Sequence, residues 1–144
     1  MKNIISTTPA ETESAAAALA ALLSPGDIVA LYGDLGAGKT AFVRGLAGGL
    51  GINAEVSSPT FALVHDYGAG ENGASLVHFD MYRVAGWDDL DTTGFYDYID
   101  RRAILAVEWA ENIEAALPAD VWRVTLTRLD DTRRRIEIAT AKKP

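Results

Sequence analysis

The chain has 144 residues, with 20 Asp or Glu against 13 Lys or Arg and a formal net charge of −7. That balance argues against an unaided grip on nucleic acid, which needs a basic stripe to neutralise phosphates, but leaves room for a role in RNA metabolism through a partner. The apolar share of 49% suits a single domain over 1–144 with a proper core, and the absence of cysteine removes disulfides and thiolate metal sites. No apolar run approaches the roughly 20 residues of a membrane span. The opening residues, Met1-Lys2-Asn3-Ile4-Ile5-Ser6, lack the apolar core of a signal peptide, so a soluble cytoplasmic protein is expected.

In chain order, Thr8-Pro9-Ala10-Glu11 reads as a capping box that opens an alanine-rich helix running to Leu23. Ser24-Pro25-Gly26 stops it. Ile28-Val29-Ala30-Leu31-Tyr32 is a short apolar run between turn signals and predicts a buried strand. A glycine-rich loop follows, then a helix over 39–50 closed by Gly51. Strands are predicted over 61–67 and 75–79, the second ending at Asp80, as an antiparallel hairpin around the turn-rich 68–73. The mixed, acidic stretch 81–100 reads as loops with one short helix. Ile104-Leu105-Ala106-Val107 predicts a second buried strand, ending at Glu108, and 111–116 a short helix ended by Pro118. Trp122, Val124 and Leu126 share one face of a first alternating run, and Ile136 and Ile138 one face of a second. With Asp130-Asp131-Thr132 turning between them, the tail reads as a closing β-hairpin. The expected fold class is α/β, a P-loop NTPase-like three-layer sandwich with a mixed parallel/antiparallel sheet.

The chemistry centres on Gly33-Asp34-Leu35-Gly36-Ala37-Gly38-Lys39-Thr40, which matches G-x-x-x-x-G-K-[ST] at every fixed position, with Ala41 next in line. Glycines let the backbone wrap closely and aim its N–H groups at a phosphate, and the following helix adds its positive end. Lys39 suits β- and γ-phosphate oxygens, and the Thr40 hydroxyl suits Mg²⁺, so ATP and Mg²⁺ are the expected cofactors. Such a loop needs a carboxylate near the metal, usually at the end of a neighbouring strand. Asp80 and Glu108 both close apolar strands. One would help to hold Mg²⁺, and the other would orient or deprotonate the attacking water. The catalytic candidates are therefore Glu108, Lys39 and Asp80.

Other residues have plainer readings. His78, inside an apolar strand, is expected to be a hydrogen-bonded core residue, and Arg83 to pair with a surface carboxylate. Trp109 can cover the site or fill the core. Arg133-Arg134-Arg135 reads as a solvated sheet edge that discourages strand pairing. A small-molecule kinase shares the P-loop, but the acidic 83–102 makes a poor phosphate lid. A GTPase would need N-K-x-D, and no asparagine here precedes a lysine, although Asp91-Thr92-Thr93-Gly94 matches D-x-x-G.

Assembled, these blocks resemble one family over nearly the whole chain: TsaE, the small ATPase of bacterial tRNA threonylcarbamoyladenosine synthesis. The resemblance lies in the P-loop, Ser58-Pro59-Thr60-Phe61, His78-Phe79-Asp80-Met81-Tyr82-Arg83, Gly94 with Tyr98, and Val107-Glu108-Trp109-Ala110-Glu111. It implies an ATPase acting with TsaD and TsaB, where TsaD transfers threonylcarbamoyl to tRNA and ATP turnover resets the complex. It further implies that Lys39 and Thr40 serve phosphate and Mg²⁺, that Asp80 and Glu108 serve metal and catalysis, that Thr60 lies in a switch-like segment, and that Trp109 lies near the nucleotide. Contact with tRNA would be indirect, through the partners. Ala110 and Arg101-Arg102 depart from the usual family pattern, away from the phosphate chemistry.

Overall fold

The computed structural model describes residues 2–34, 36–53, 55–56, 64–70 and 73–141. The strand expected at Ile28–Tyr32 (β2, numbered after the N-terminal β1, Lys2–Ser6) is buried over its first four residues, and Ile104–Glu108 (β5) over all five. Strands as apolar as these need cover on both faces. The helices supply it: α1 (Pro9–Ala20) and α2 (Lys39–Gly49) on one side, α3 (Trp87–Thr92) and α4 (Phe95–Asp100) with a 3₁₀ segment (Ala110–Ala116) on the other. β3 (Val64–Ala69), β4 (Ser75–Asp80), β6 (Trp122–Arg128) and β7 (Arg134–Thr140) complete a seven-stranded sheet ordered β1-β7-β6-β2-β5-β4-β3.

Alternation along β2 divides the core. Val29 and Leu31 pack with Phe42, Val43 and Leu46 of α2, while Ile28 and Ala30 pack with Leu90 of α3 and Phe95 of α4. Burial of each such Leu or Phe stabilises the fold by roughly 1.5–3 kcal/mol. The centre of the sheet is parallel: β6 to β2, β2 to β5, β5 to β4. Its margins are antiparallel, β3 on β4 at one side, and β7 on β6 with β1 on β7 at the other. The three-layer α/β fold with a mixed sheet is the expected one.

Local details refine the sequence reading. Thr8 caps α1 by accepting from the Glu11 N–H at 3.1 Å, and the Glu11 carboxylate accepts from the Thr7 N–H at 2.6 Å, one residue earlier than a standard box. The helix ends at Ala20 rather than Leu23. The 81–100 stretch holds two short helices rather than one, because Gly94 at φ 80° breaks the path between them. The short helix expected at 111–116 is 3₁₀ and kinked at Ile113. The start of the strand expected at 61–67 lies outside the described residues, and β3 continues it to Ala69.

Two readings are corrected. β1 was not anticipated, since its five residues show little alternation, and its pairing with β7 makes it the sheet edge. The arginine run is therefore not an edge. Arg134 lies between Ser6 of β1 and Arg128 of β6, and Arg135 between Ile5 and Thr127. Arg133 instead closes the hairpin turn by donating to Asp130 at 2.7 Å, and this contact, with the Arg133 and Thr132 N–H groups, holds the Asp130 carboxyl well below the usual carboxylate range. Among the described residues, no helix is long and apolar enough to cross a membrane.

The alanine richness of α1 has a packing cause. A Cβ on Gly45 of α2 would stand 2.7 Å from the Ala16 Cβ of α1, and one on Gly49 would stand 2.7 Å from the Ala20 Cβ. The two helices touch through their smallest residues, which seats α2 deep against the sheet. Gly45→Ala should lower stability by about 1–3 kcal/mol through overpacking. Gly48→Ala, whose added methyl meets nothing within 4 Å, should leave stability unchanged or slightly raised. Urea midpoints of the two variants check both expectations.

Candidate functional site

The site lies where β2, β5 and β4 end side by side. The parallel register pairs Leu31 with Glu108 and Glu108 with Asp80, so three adjacent strands finish in one row. Paired residues of neighbouring strands share a face. Leu31 packs in the core formed with α2, so both carboxylates stand on the α2 side of the sheet. Each is only 5% exposed. A crevice outside the carboxyl ends of parallel strands is the common ligand position of open α/β sheets.

The P-loop leaves β2 at Gly33 and enters α2 at Lys39. Gly33 passes so close to the hairpin that a Cβ there would stand 2.5 Å from the Leu126 carbonyl. Gly38, at φ 100°, turns the chain into the helix from a conformation that residues with a Cβ rarely adopt. It offers no side-chain cap, so the first N–H groups of α2 are left for an anion. Leu35 lies outside the described residues, as does the Ser57-Ser58-Pro59-Thr60-Phe61 segment.

Lys39 is buried, and among the described residues no carboxylate pairs with it. Its ammonium rests instead over Trp109, 4.4 Å from the ring centroid. Trp109 reaches this place because it adopts φ 57°, ψ 41° immediately after Glu108, a left-handed turn that costs a residue with a Cβ about 1–2 kcal/mol. Tyr82 also packs against the Trp109 ring, with ring centroids 4.9 Å apart. Trp109 thus meets both readings: it is partly buried against the core on the α3 and α4 side, and its ring also lies under the Lys39 ammonium.

The carboxylates are held differently. Asp80 accepts from the Tyr82 N–H at 2.9 Å. Glu108 Oε2 meets His78 Nε2 at 2.5 Å. His78 is fully buried and hydrogen-bonded, as expected of a core histidine, but its partner is a candidate catalytic group. Sequence reasoning missed that contact; the usable signal was the two-residue spacing from His78 to Asp80, which puts both on one strand face. Arg83 is exposed, and among the described residues no carboxylate pairs with it, contrary to expectation. The D-x-x-G match ends α3, whose Leu90 packs in the core on the other side of the sheet from α2.

Beside Gly38 and Ala41 opens a cavity of about 270 Å³, which Thr8, Thr132 and Arg134 help to line. It joins the start of α1 to the closing hairpin, two regions the sequence reading gave no role. On the other side of β2, Tyr32 donates to Glu114 at 2.7 Å, and burial followed by that carboxylate pushes its phenol well above the usual tyrosine range. The 3₁₀ segment is thereby tied to the strand that launches the P-loop.

These residues fit a nucleotide with Mg²⁺. Glycines stand where side chains would block the backbone, helix N–H groups are uncapped, a buried lysine has no acidic partner among the described residues, and a hydroxyl and two buried carboxylates offer hard oxygen donors. The turn after Asp80 is braced from β5: Glu108 O accepts from the Met81 N–H at 3.0 Å, and Asn112 Nδ2 donates to the Met81 and Tyr82 carbonyls at 2.9 and 3.2 Å. Asn112→Ala should cost about 1–2 kcal/mol by deleting both bonds. A lowered thermal midpoint with the fold retained by circular dichroism checks it.

Comparison with known proteins agrees with this geometry. The model of the family described as "Threonylcarbamoyl adenosine biosynthesis protein TsaE" matches residues 6–136. The chain is 41% identical over 128 residues to the tRNA threonylcarbamoyladenosine biosynthesis protein TsaE of Bacillus subtilis, covering 89% of this chain and 78% of that one. It is 35% identical over 140 residues to the Aquifex aeolicus protein of the same name, covering 96% of each. The crystal structure of Bacillus subtilis YdiB superposes with a TM-score of 0.80 at 35% identity, over 98% of this chain and 86% of that one. Strand ends, P-loop and family match coincide, and the chain belongs to the TsaE family.

Proposed function

We propose that this protein is a Mg²⁺-dependent ATPase of the cytoplasm that serves threonylcarbamoyladenosine modification of tRNA, coupling ATP turnover to resetting of a TsaD–TsaB complex. The observation that carries the reading is the single row of Leu31, Glu108 and Asp80 beside the strand that launches the P-loop. The names of the matched relatives support the pathway. The net charge of −7 suits a subunit whose partners, rather than itself, hold the tRNA.

In this reading, the N–H groups of the loop and of α2 bind the β-phosphate, and Lys39 meets the β- and γ-phosphate oxygens. Thr40 and Asp80 hold the metal. Mg²⁺, when bound, neutralises charge developing on the phosphate oxygens. Glu108 accepts the proton of the attacking water, and the Trp109 ring keeps bulk water off Lys39. The nucleoside lies towards the cavity by Gly38 and Ala41, where Thr8, Thr132 and Arg134 offer polar contacts.

Lys39→Ala should weaken ATP binding about 10–100-fold, the loss of one charge-assisted contact. Glu108→Ala should keep ATP affinity and lower turnover about 10²–10⁴-fold, the usual share of a general base. Calorimetric binding and single-turnover hydrolysis separate the two effects. Hydrolysis measured alone and with purified TsaD and TsaB from the same organism should rise when the partners are present. No rise, with direct binding also absent, overturns the coupling.

A further inference from the structure

We infer that His78 is a positioning residue that holds the Glu108 carboxylate in place for water activation, and that Tyr67 and His65 orient the His78 ring. The inference rests on the role of Glu108 proposed above and adds the device that fixes it. A glutamate at a strand end has three side-chain torsions, and a general base must be held within about 0.5 Å of its productive position. Something must lock it, and among the described residues the hydrogen bond to the Glu108 side chain comes from His78.

The lock is a polar chain inside an apolar wall. His78 is fully buried in a strand whose neighbouring positions Leu76, Val77 and Phe79 are all apolar, where an aliphatic side chain would avoid the desolvation of two ring nitrogens. Both nitrogens are instead bonded: Nε2 to Glu108 Oε2 at 2.5 Å, and Nδ1 to the Tyr67 hydroxyl at 3.3 Å. That hydroxyl also lies 3.2 Å from His65 Nδ1. The rings pack together, with Tyr67 6.1 Å from His78 and 5.8 Å from His65 between centroids.

Hydrogen counting gives the chain a direction. An ionised carboxylate only accepts, so Nε2 carries the hydrogen and donates to Glu108. A neutral ring then leaves Nδ1 as an acceptor, filled by the Tyr67 O–H. The phenol oxygen in turn accepts from His65 Nδ1–H. In this arrangement the His78 donor points towards Glu108, as in the histidine–carboxylate pairs that orient metal ligands. Among the described residues no hydrogen bond holds Glu108 Oε1, so one oxygen is fixed and the other is the one assigned here to the water.

Three measurements on the full chain test this. In the nucleotide-free protein, ¹⁵N-histidine spectra should show His78 as the Nε2–H tautomer; an Nδ1–H ring overturns the inference. His78→Phe keeps the volume but removes the donor, and should lower kcat about 10–100-fold with the Kd for ATP within about threefold. His78→Gln returns a donor at the same reach and should recover most of that loss. Parental kcat in His78→Phe, or equal losses in the two variants, overturns the inference. Glu108→Ala separates the failures: parental turnover there removes the water-activating reading and this inference with it, whereas an inactive Glu108→Ala beside a fully active His78→Phe removes the inference alone. Should His78→Phe fail to fold, Tyr67→Phe takes its place. It should lower kcat about three- to tenfold and weaken the Nε2–H tautomer preference, and no change in either overturns the inference.

Discussion

The functional site depends on one register. Because β2, β5 and β4 run parallel and end together, Leu31, Glu108 and Asp80 form a row that no loop could hold as firmly. A slip of one residue in β5 would send the Glu108 side chain to the opposite face, among Val77, Phe79 and Leu105. What prevents the slip is burial on both sides. Ile104 and Ala106 belong to one core, Leu105 and Val107 to the other, and each lacks an alternative that keeps it dry. The packing energy of the centre of the sheet therefore also secures the placement of the two carboxylates.

The layer above the row is built to let the P-loop sit low. α2 approaches α1 through Gly45 and Gly49, so its N-terminus stays close to the strand ends. The resting place of Lys39 follows from this seating. A buried ammonium needs compensation, and with no carboxylate in salt-bridge contact among the described residues the Trp109 ring face supplies some. An acid in that place would have compensated better but would compete with phosphate. The left-handed turn at Trp109 stores local strain, and the ring it presents is in contact with both Tyr82 and Lys39.

Much of this was legible in the chain, and the reasons differ by element. The P-loop is local, so its spacing identified it. The strands ending at Asp80 and Glu108 were visible as apolar runs that stop at a carboxylate, and the tail hairpin as alternation around Asp130. The His78–Glu108 contact was not visible, because it joins residues 30 apart through the pairing of β4 with β5. The interior position of Arg134 and Arg135 was hidden for a related cause: only β1, from the other end of the chain, covers that side of β7. Local chemistry is readable from local sequence, while a contact set by strand order is readable only once the order is known.

The passage of Gly33 beneath the Leu126 carbonyl bears on how the molecule is made. The whole phosphate-binding motif emerges within the first 40 residues, but its floor and back wall do not. β2 takes its neighbours from residues 104–108 and 122–128, so the motif waits for most of the chain before it has a shape. Pairings this distant are slow to form, since loop closure must precede any reward. A nascent chain that already carries every glycine of the loop lacks the strands that shape it, and these arrive late, together with the closing hairpin. The loop therefore takes its shape at the end of folding and cannot template the early steps.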